Sequence, residues 1–186
     1  GGNGEIKVAH RWERDSLDFN LNGIYNKADG DVNANAQQIR GEYRHDFTER
    51  FFGFNNHTFG RDTIQLIQWR YITNAGPGYR WWYSGEKKHF DTKAGIGYLH
   101  QEYRRDVDDD SDTPNTREDT RDDPTGSFSY QYANVWWDTV EFLHNAGIVV
   151  PLTNEDEFIF ATDVSASLPI VYGWAFRNTF ALEYQK

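Results

Sequence analysis

Between Gln68 and Arg105 the side chains change character at every step, and this alternation limits the fold more than any other feature of the chain. Trp69, Tyr71, Thr73, Ala75, Pro77, Tyr79 and Trp81 share one parity. Arg70, Ile72, Asn74, Gly76, Gly78 and Arg80 share the other. The return arm sets Phe90, Thr92, Ala94, Ile96 and Tyr98 against Asp91, Lys93, Gly95, Gly97 and Gln101. Strand side chains point to opposite faces with period two. The stretch therefore reads as a long hairpin with one aromatic, uncharged face and one face of charges and glycines. A water-soluble sheet would have to bury the aromatic face under another layer. A barrel in lipid turns that face outward and keeps the polar face inside.

The same pattern recurs along the chain. Ten strand-like segments can be marked, beginning with Glu5–Trp12, which sets Ile6, Val8, His10 and Trp12 against Glu5, Lys7 and Arg11. The second carries Leu17, Phe19, Leu21 and Tyr25 on one face, and the third spans Asn33–Phe47 with Ile39 and Tyr43 against Arg40, Glu42 and Arg44. The fourth, Phe51–Arg61, has phenylalanines on both parities, so its inside cannot be assigned. The central hairpin supplies the next two. Gly126–Trp136 follows, and three more segments carry Phe142 and Ile148, Phe160 and Val164, and Trp174, Phe176 and Tyr184. Wherever a face can be assigned, the charges lie opposite the aromatics. The expected fold is all-β: an antiparallel up-and-down meander of about ten strands, closed into a single-domain β-barrel with a polar interior and an aromatic exterior.

Composition agrees with that picture. Aromatics make up 17% of the chain, yet the mean hydropathy is −0.83 and methionine is absent. A thin aromatic band around a polar lumen has this profile. No run approaches the eighteen apolar residues of a membrane helix, and the absence of cysteine rules out disulfides and thiolate metal sites. The formal charge of −10 speaks against a nucleic-acid partner. Residues 106–123 carry nine acidic and two basic side chains and read as a mobile acidic loop. The chain starts at Gly1 without methionine, which reads as a processed or trimmed product.

Parity directs Arg40, Arg44, Arg70, Arg80, Lys93 and Arg177 inward, together with Glu42, Asp91, Glu141, Asp163 and Glu183. A four-residue Ser84–Lys87 turn sets Arg80 opposite Asp91 and Gly76 opposite Gly95. An ion-selective lumen and a lumen plugged by its own salt bridges both fit these charges. The plug is favoured, because interiors this narrow are filled by side chains. The glycines Gly76, Gly78, Gly95 and Gly97 relieve curvature or make room for arginines. Trp12, Trp69, Tyr71, Trp81, Tyr130, Tyr132, Trp136, Trp174, Phe176 and Tyr184 form the outer aromatic contact face. Asp106, Asp108, Asp110 and Asp112 alternate in the acidic loop, and such oxygen-rich spacing can hold Ca²⁺. The frame lacks an EF-hand glycine and last ligand, so a solvated, repulsive loop is the simpler expectation. The six histidines have no metal-ligand spacing, and no nucleophile motif is present, so neither an enzyme nor a cofactor is expected.

Gly2-Asn3, the Phe47–Phe51 turn, the two Gly-x-Gly-Tyr arms at Gly76–Tyr79 and Gly95–Tyr98, and the acidic loop after them carry a resemblance. The chain resembles a family of uncharacterised, salt-induced outer-membrane β-barrel proteins of Gram-negative bacteria. That resemblance implies an outer-membrane location and no established chemistry. It also implies a further strand before Gly2-Asn3 and another after the last hairpin, both expected to be missing here, as is a terminal aromatic. The tight turns join the strands in consecutive pairs, so both termini fall at the long-loop end with the acidic loop. Polar residues occupy mid-strand outward positions at Thr73, Asn134, His144, Thr162 and Asn178. Two partners for the outer face therefore stand open: outer-membrane lipid, or other copies of the chain in an extracellular assembly or filament.

Overall fold

The computed structural model describes residues 1–28, 31–63, 66–85, 87–103, 120–137, 139–153, 157–169 and 175–185. They form a ten-stranded antiparallel sheet in strict sequence order: β1 (Gly2–Arg11), β2 (Asp15–Ala28), β3 (Asp31–Asp46), β4 (Phe51–Asp62), β5 (Ile67–Tyr83), β6 (His89–Tyr103), β7 (Thr120–Trp136), β8 (Val140–Pro151), β9 (Ile159–Pro169) and β10 (Ala175–Gln185). The sheet curls strongly into a half-barrel, and no helix occurs among the described residues. No register joins β1 to β10 among the described residues, so the expected ring is open along one seam.

Local chemistry sets the short turns. Trp12 N donates to Asp15 O at 2.8 Å, closing the β1–β2 connection. In the β3–β4 turn the Thr48 hydroxyl accepts from the Phe51 backbone N–H at 2.9 Å, while Phe47 N donates to Phe51 O. Gly85 takes a φ of +102° in the β5–β6 turn, a conformation suited to glycine. The turn runs over residues 84–88, one longer than the four expected, yet the register still reaches Arg80 opposite Asp91. A bulge at Arg80/Trp82 absorbs the extra turn residue. Ala75–Ile96 and Gly78–Lys93 lie in the same register, which brings Gly76 opposite Gly95.

The glycines occupy close approaches, but the space serves different groups from those anticipated. A Cβ on Gly78 would lie 2.2 Å from the Phe52 ring, and one on Gly95 would lie 2.9 Å from Phe54 Cζ. The holes are therefore filled by inward phenylalanines rather than by arginines. At Gly76 and Gly97 the obstacle is backbone, with Ala94 O at 2.1 Å and Thr73 O at 1.8 Å. These two glycines let the β5 and β6 backbones approach closely. The ambiguity of β4 is thereby settled: Phe52 and Phe54 are buried on the inner face, while Phe51 and Phe59 are exposed on the outer one.

The acidic stretch is shorter than its charge suggests. Thr120–Asp123 belong to β7 and pair with β6, with Asp122 opposite His100 and Asp123 opposite Leu99. Asp106, Asp108, Asp110 and Asp112, and with them the Ca²⁺ expectation, lie outside the described residues, as does Trp174.

Candidate functional site

The inner face carries most of the polar chemistry, and it does so in two clusters. Near the short turns, Arg44 of β3 donates from Nη1 to Asp91 Oδ2 of β6 at 2.6 Å and from Nε to Asp46 Oδ1 at 2.9 Å. Arg80 of β5 lies 3.3 Å from Asp46 and 3.6 Å from Asp91, and it donates to the Glu49 carbonyl at 2.8 Å. Asp91 is 3% exposed. The Arg44 guanidinium also sits over the Phe52 ring, 3.4 Å from its centroid. One layer further in, Lys93 of β6 donates to both carboxylate oxygens of Glu42 on β3, at 2.6 and 2.7 Å. These links run between β3 and β6, which are not neighbours in the sheet. They cross the lumen.

The second cluster lies toward the long-loop end. Arg70 of β5 donates to Gln101 Oε1 at 2.8 Å and to Glu183 Oε1 of β10 at 2.9 Å. Gln101 is fully buried. Between the clusters sit Asn74, which donates to Asn56, Thr125, which donates to Asn74, and an apolar group of Ile72, Leu99 and Ile159. The inner face is thus mixed rather than uniformly charged. Arg121 pairs with Asp123 and Glu157 beside this level.

Several of the inward charges anticipated from parity fall outside these clusters. Arg40 is exposed and contacts Gln38 at 3.4 Å. Glu141 pairs with Lys87 at the exposed rim. Asp163 accepts from Asn145 at 2.9 Å. Arg177 has a place in β10 by register only. Asp46 is a central partner that alternation alone did not single out, whereas Gln101 stands on the polar face where alternation put it.

The outer face is an almost continuous apolar surface. Trp12, Trp69, Trp81, Trp136, Phe176 and Tyr184 are exposed on it, Ile96 is 75% exposed, and Tyr71, Tyr130 and Tyr132 are half-buried among neighbouring rings. Phe59 stacks on Trp69 and Trp136 stacks on Phe142 across paired strands. Several mid-strand polar groups here find partners within the sheet. His144 lies 3.2 Å from both the Tyr130 hydroxyl and Thr162 Oγ1, His57 lies 2.7 Å from the Tyr71 hydroxyl, and Asn134 donates to the Tyr132 hydroxyl at 2.9 Å.

At each end of this surface the sequence Tyr-x-His meets an aspartate on the adjacent strand. At the short-turn rim, Tyr43 and His45 both donate to Asp15 Oδ1, at 2.5 and 2.8 Å. At the opposite rim, Tyr98 and His100 both donate to Asp122 Oδ1, the histidine at 2.7 Å. The Tyr43 and His45 bonds hold the Asp15 carboxyl below its usual range, and the Tyr98 and His100 bonds do the same for Asp122. The Asp122 hydrogen bond raises His100 above an ordinary histidine. The repeat is legible in sequence as Tyr43-Arg44-His45 and Tyr98-Leu99-His100, although neither aspartate is near it in the chain.

Residues 2–186 match the model of the family described as "Protein of unknown function, DUF481". The chain belongs to that family. No curated protein and no solved structure matches it. Membership of DUF481 agrees with the expected kinship to an uncharacterised family, and the barrel-like curl of the chain is the structural counterpart of that expectation. For a DUF481 chain with this geometry, the chemistry on view is cross-lumen ion pairing inside and ring stacking outside.

Proposed function

We propose that this chain is the membrane-embedded barrel of a Gram-negative outer-membrane protein, a non-catalytic structural element whose narrow lumen is stoppered by its own ion pairs. The observation that carries this reading is the inverted burial. Charged and amide side chains such as Asp91, Arg70, Arg80 and Gln101 are buried, whereas Ile96, Phe128, Phe176 and Phe180 lie exposed. Water would oppose that arrangement at every strand; hydrocarbon favours it. The dimensions are suitable. On β6 the outer band runs from Phe90 to Tyr98. At about 3.4 Å per residue and a tilt near 40°, it stands roughly 21 Å tall, close to the apolar band of about 25 Å in such barrels. The Tyr-His-Asp clusters fall at or beyond the ends of this band.

The alternative partner for the outer face, another copy in an extracellular assembly, drew on polar groups placed mid-strand. His144, Thr162 and Asn134, three of the five such groups, find partners within their own sheet, which weakens the case for a protein neighbour. The cross-lumen Arg44–Asp91, Lys93–Glu42 and Arg70–Glu183 pairs support a plug over an open ion path. The salt-induced setting rests on the sequence resemblance alone and would be read from transcript levels with and without added salt. Co-flotation of the chain with phospholipid vesicles tests the central claim. Protein that floats, resists stripping at alkaline pH and leaves planar bilayers non-conducting fits it. Protein that stays soluble without detergent, or forms filaments, refutes it.

A further inference from the structure

We propose that the groove outside the β1–β2 turn holds the headgroup of a primary-amine phospholipid, its ammonium against Glu13, Asp15 and His45 and its phosphate against Arg14; this rests on the membrane reading above. The groove has a volume of about 650 Å³ and is lined by Trp12, Glu13, Arg14, Asp15, Tyr43 and His45. It is built by the β1–β2 turn and the end of β3, with Asp15 paired in register with His45. By parity Trp12, Asp15, Tyr43 and His45 face outward, so the groove opens to the surroundings of the barrel and away from the lumen. Asp15 opens β2 and His45 stands one residue from the end of β3. The site therefore lies where the apolar outer band gives way to the rim, the level of lipid headgroups. Trp12 and Tyr43 are exposed there, and aromatic rings with a polar atom favour that level.

The polar groups of the groove are of both signs and keep unused bonding capacity. Tyr43 and His45 both donate to Asp15 Oδ1, which leaves Oδ2 as an open acceptor. The same bonds hold the carboxyl below its usual range and so keep it ionised. An ionised carboxylate only accepts, so His45 carries its hydrogen on Nδ1, and in the neutral ring Nε2 is an acceptor. Glu13 and Arg14 are exposed, and neither side chain has a partner among the described residues. Acceptors on three residues and one guanidinium thus border a single concavity. A lone phosphate would meet the repulsion of two carboxylates, and a lone cation would leave the guanidinium unmatched. A zwitterion satisfies both. A primary ammonium brings three N–H donors to the acceptors, and the guanidinium fork matches the phosphodiester. A quaternary ammonium is drawn to aromatic rings but has no N–H to donate. The related cluster at the opposite rim differs, because His100 sets Nδ1 against Asp122 and Nε2 against Glu102.

The test is lipid selection. Chain refolded in a neutral detergent is incubated with equal amounts of phosphatidylethanolamine, phosphatidylcholine and phosphatidylglycerol of matched acyl chains, and the retained lipids are counted by native mass spectrometry. The parent should retain phosphatidylethanolamine over each of the others by about threefold or more, the scale of one or two exposed ion pairs. Glu13→Gln/Arg14→Gln should bring the three lipids level, whereas Asp122→Asn, at the opposite rim, should leave the preference intact. The readout is a ratio between lipids, so a general loss of folded chain does not imitate it. Equal retention by the parent would overturn the proposal. So would a preference that survives Glu13→Gln/Arg14→Gln, or one that Asp122→Asn abolishes as fully. Any of these results in chain that floats with phospholipid vesicles leaves the membrane reading standing. Chain that fails to float sinks both.

Discussion

Asp91→Ala isolates the interaction on which the stoppered lumen depends. The carboxylate is 3% exposed and accepts from Arg44 at 2.6 Å, with Arg80 at 3.6 Å. Arg44 and Arg80 are themselves about nine-tenths buried, so removing Asp91 leaves two desolvated guanidiniums sharing Asp46. Breaking a buried pair from one side costs about 3–5 kcal/mol, chiefly because the surviving charge is uncompensated. The double replacement Arg44→Met/Asp91→Leu removes one charge of each sign and leaves Arg80 with Asp46. It should cost far less than the single change, since an apolar pair of similar volume is often neutral in such a site.

The assay is urea unfolding of micelle-refolded protein, followed by the fluorescence of its seven tryptophans. With a denaturant slope of about 2 kcal/mol per molar, Asp91→Ala should lower the midpoint by about 2 M. The double variant should recover most of that loss, giving a coupling well above the roughly 0.5 kcal/mol of independent sites. A single variant within experimental error of the parent, or a double variant no better than the single, would show that the cluster is solvated and that ion pairing does not hold the lumen shut.

Four further outcomes follow from the geometry. Ile96→Arg, at the most exposed part of the outer band, should cost about 2–4 kcal/mol in lipid and almost nothing if that face meets water; vesicle refolding yields distinguish the two. Gly97→Ala should abolish folding or cost at least about 1–3 kcal/mol, because its Cβ would meet backbone, whereas Gly41→Ala, with open space around it, should be neutral or slightly stabilising in the same urea assay. His100 should titrate above the ordinary value of about 6.5 when followed by NMR, and Asp122→Asn should bring it down. Since the folded value is raised, this bond contributes fully below about pH 6.5 and its contribution is lost as pH rises through the folded midpoint. Finally, Arg44→Ala/Lys93→Ala, which cuts both β3–β6 ties, should turn a silent bilayer recording into a conducting one.

Much of the architecture can be read from the chain because period two is a local signal. Each strand of the central hairpin declares its own faces, whereas the extra turn residue and the bulge at Arg80/Trp82 that together restore Arg80 opposite Asp91 are not written in the alternation. What the chain concealed depends on neighbours distant in sequence. β4 carries phenylalanines on both parities, and nothing inside it says that Phe52 and Phe54 turn inward. The reason lies on β5 and β6, where Gly78 and Gly95 leave ring-sized holes. Thr120–Asp123 looked like loop because their charges match the acidic stretch before them. Their partners on β6, Leu99 and His100, make them strand. Asp46 went unrecognised at the lumen mouth because it closes a strand beside a turn, where alternation no longer distinguishes inside from rim.

The same non-local dependence explains how a sheet with so little apolar interior keeps a defined shape. Its neighbouring strands are joined by backbone hydrogen bonds, which fix distance but leave curvature free. Curvature is specified by contacts between strands that are not neighbours, and among the described residues four of these are charged: Arg44–Asp91, Arg80–Asp46, Lys93–Glu42 and Arg70–Glu183. Each joins residues that a flatter sheet would hold apart. Gly76 and Gly97 act in the same sense from the backbone side by removing the Cβ atoms that would resist the bend. Long polar side chains reaching across a polar lumen thus do here what an apolar core does in a soluble sandwich: they select one curvature out of the many that the alternating pattern alone would permit. The rest of the aromatic surface is then left for whatever surrounds the barrel.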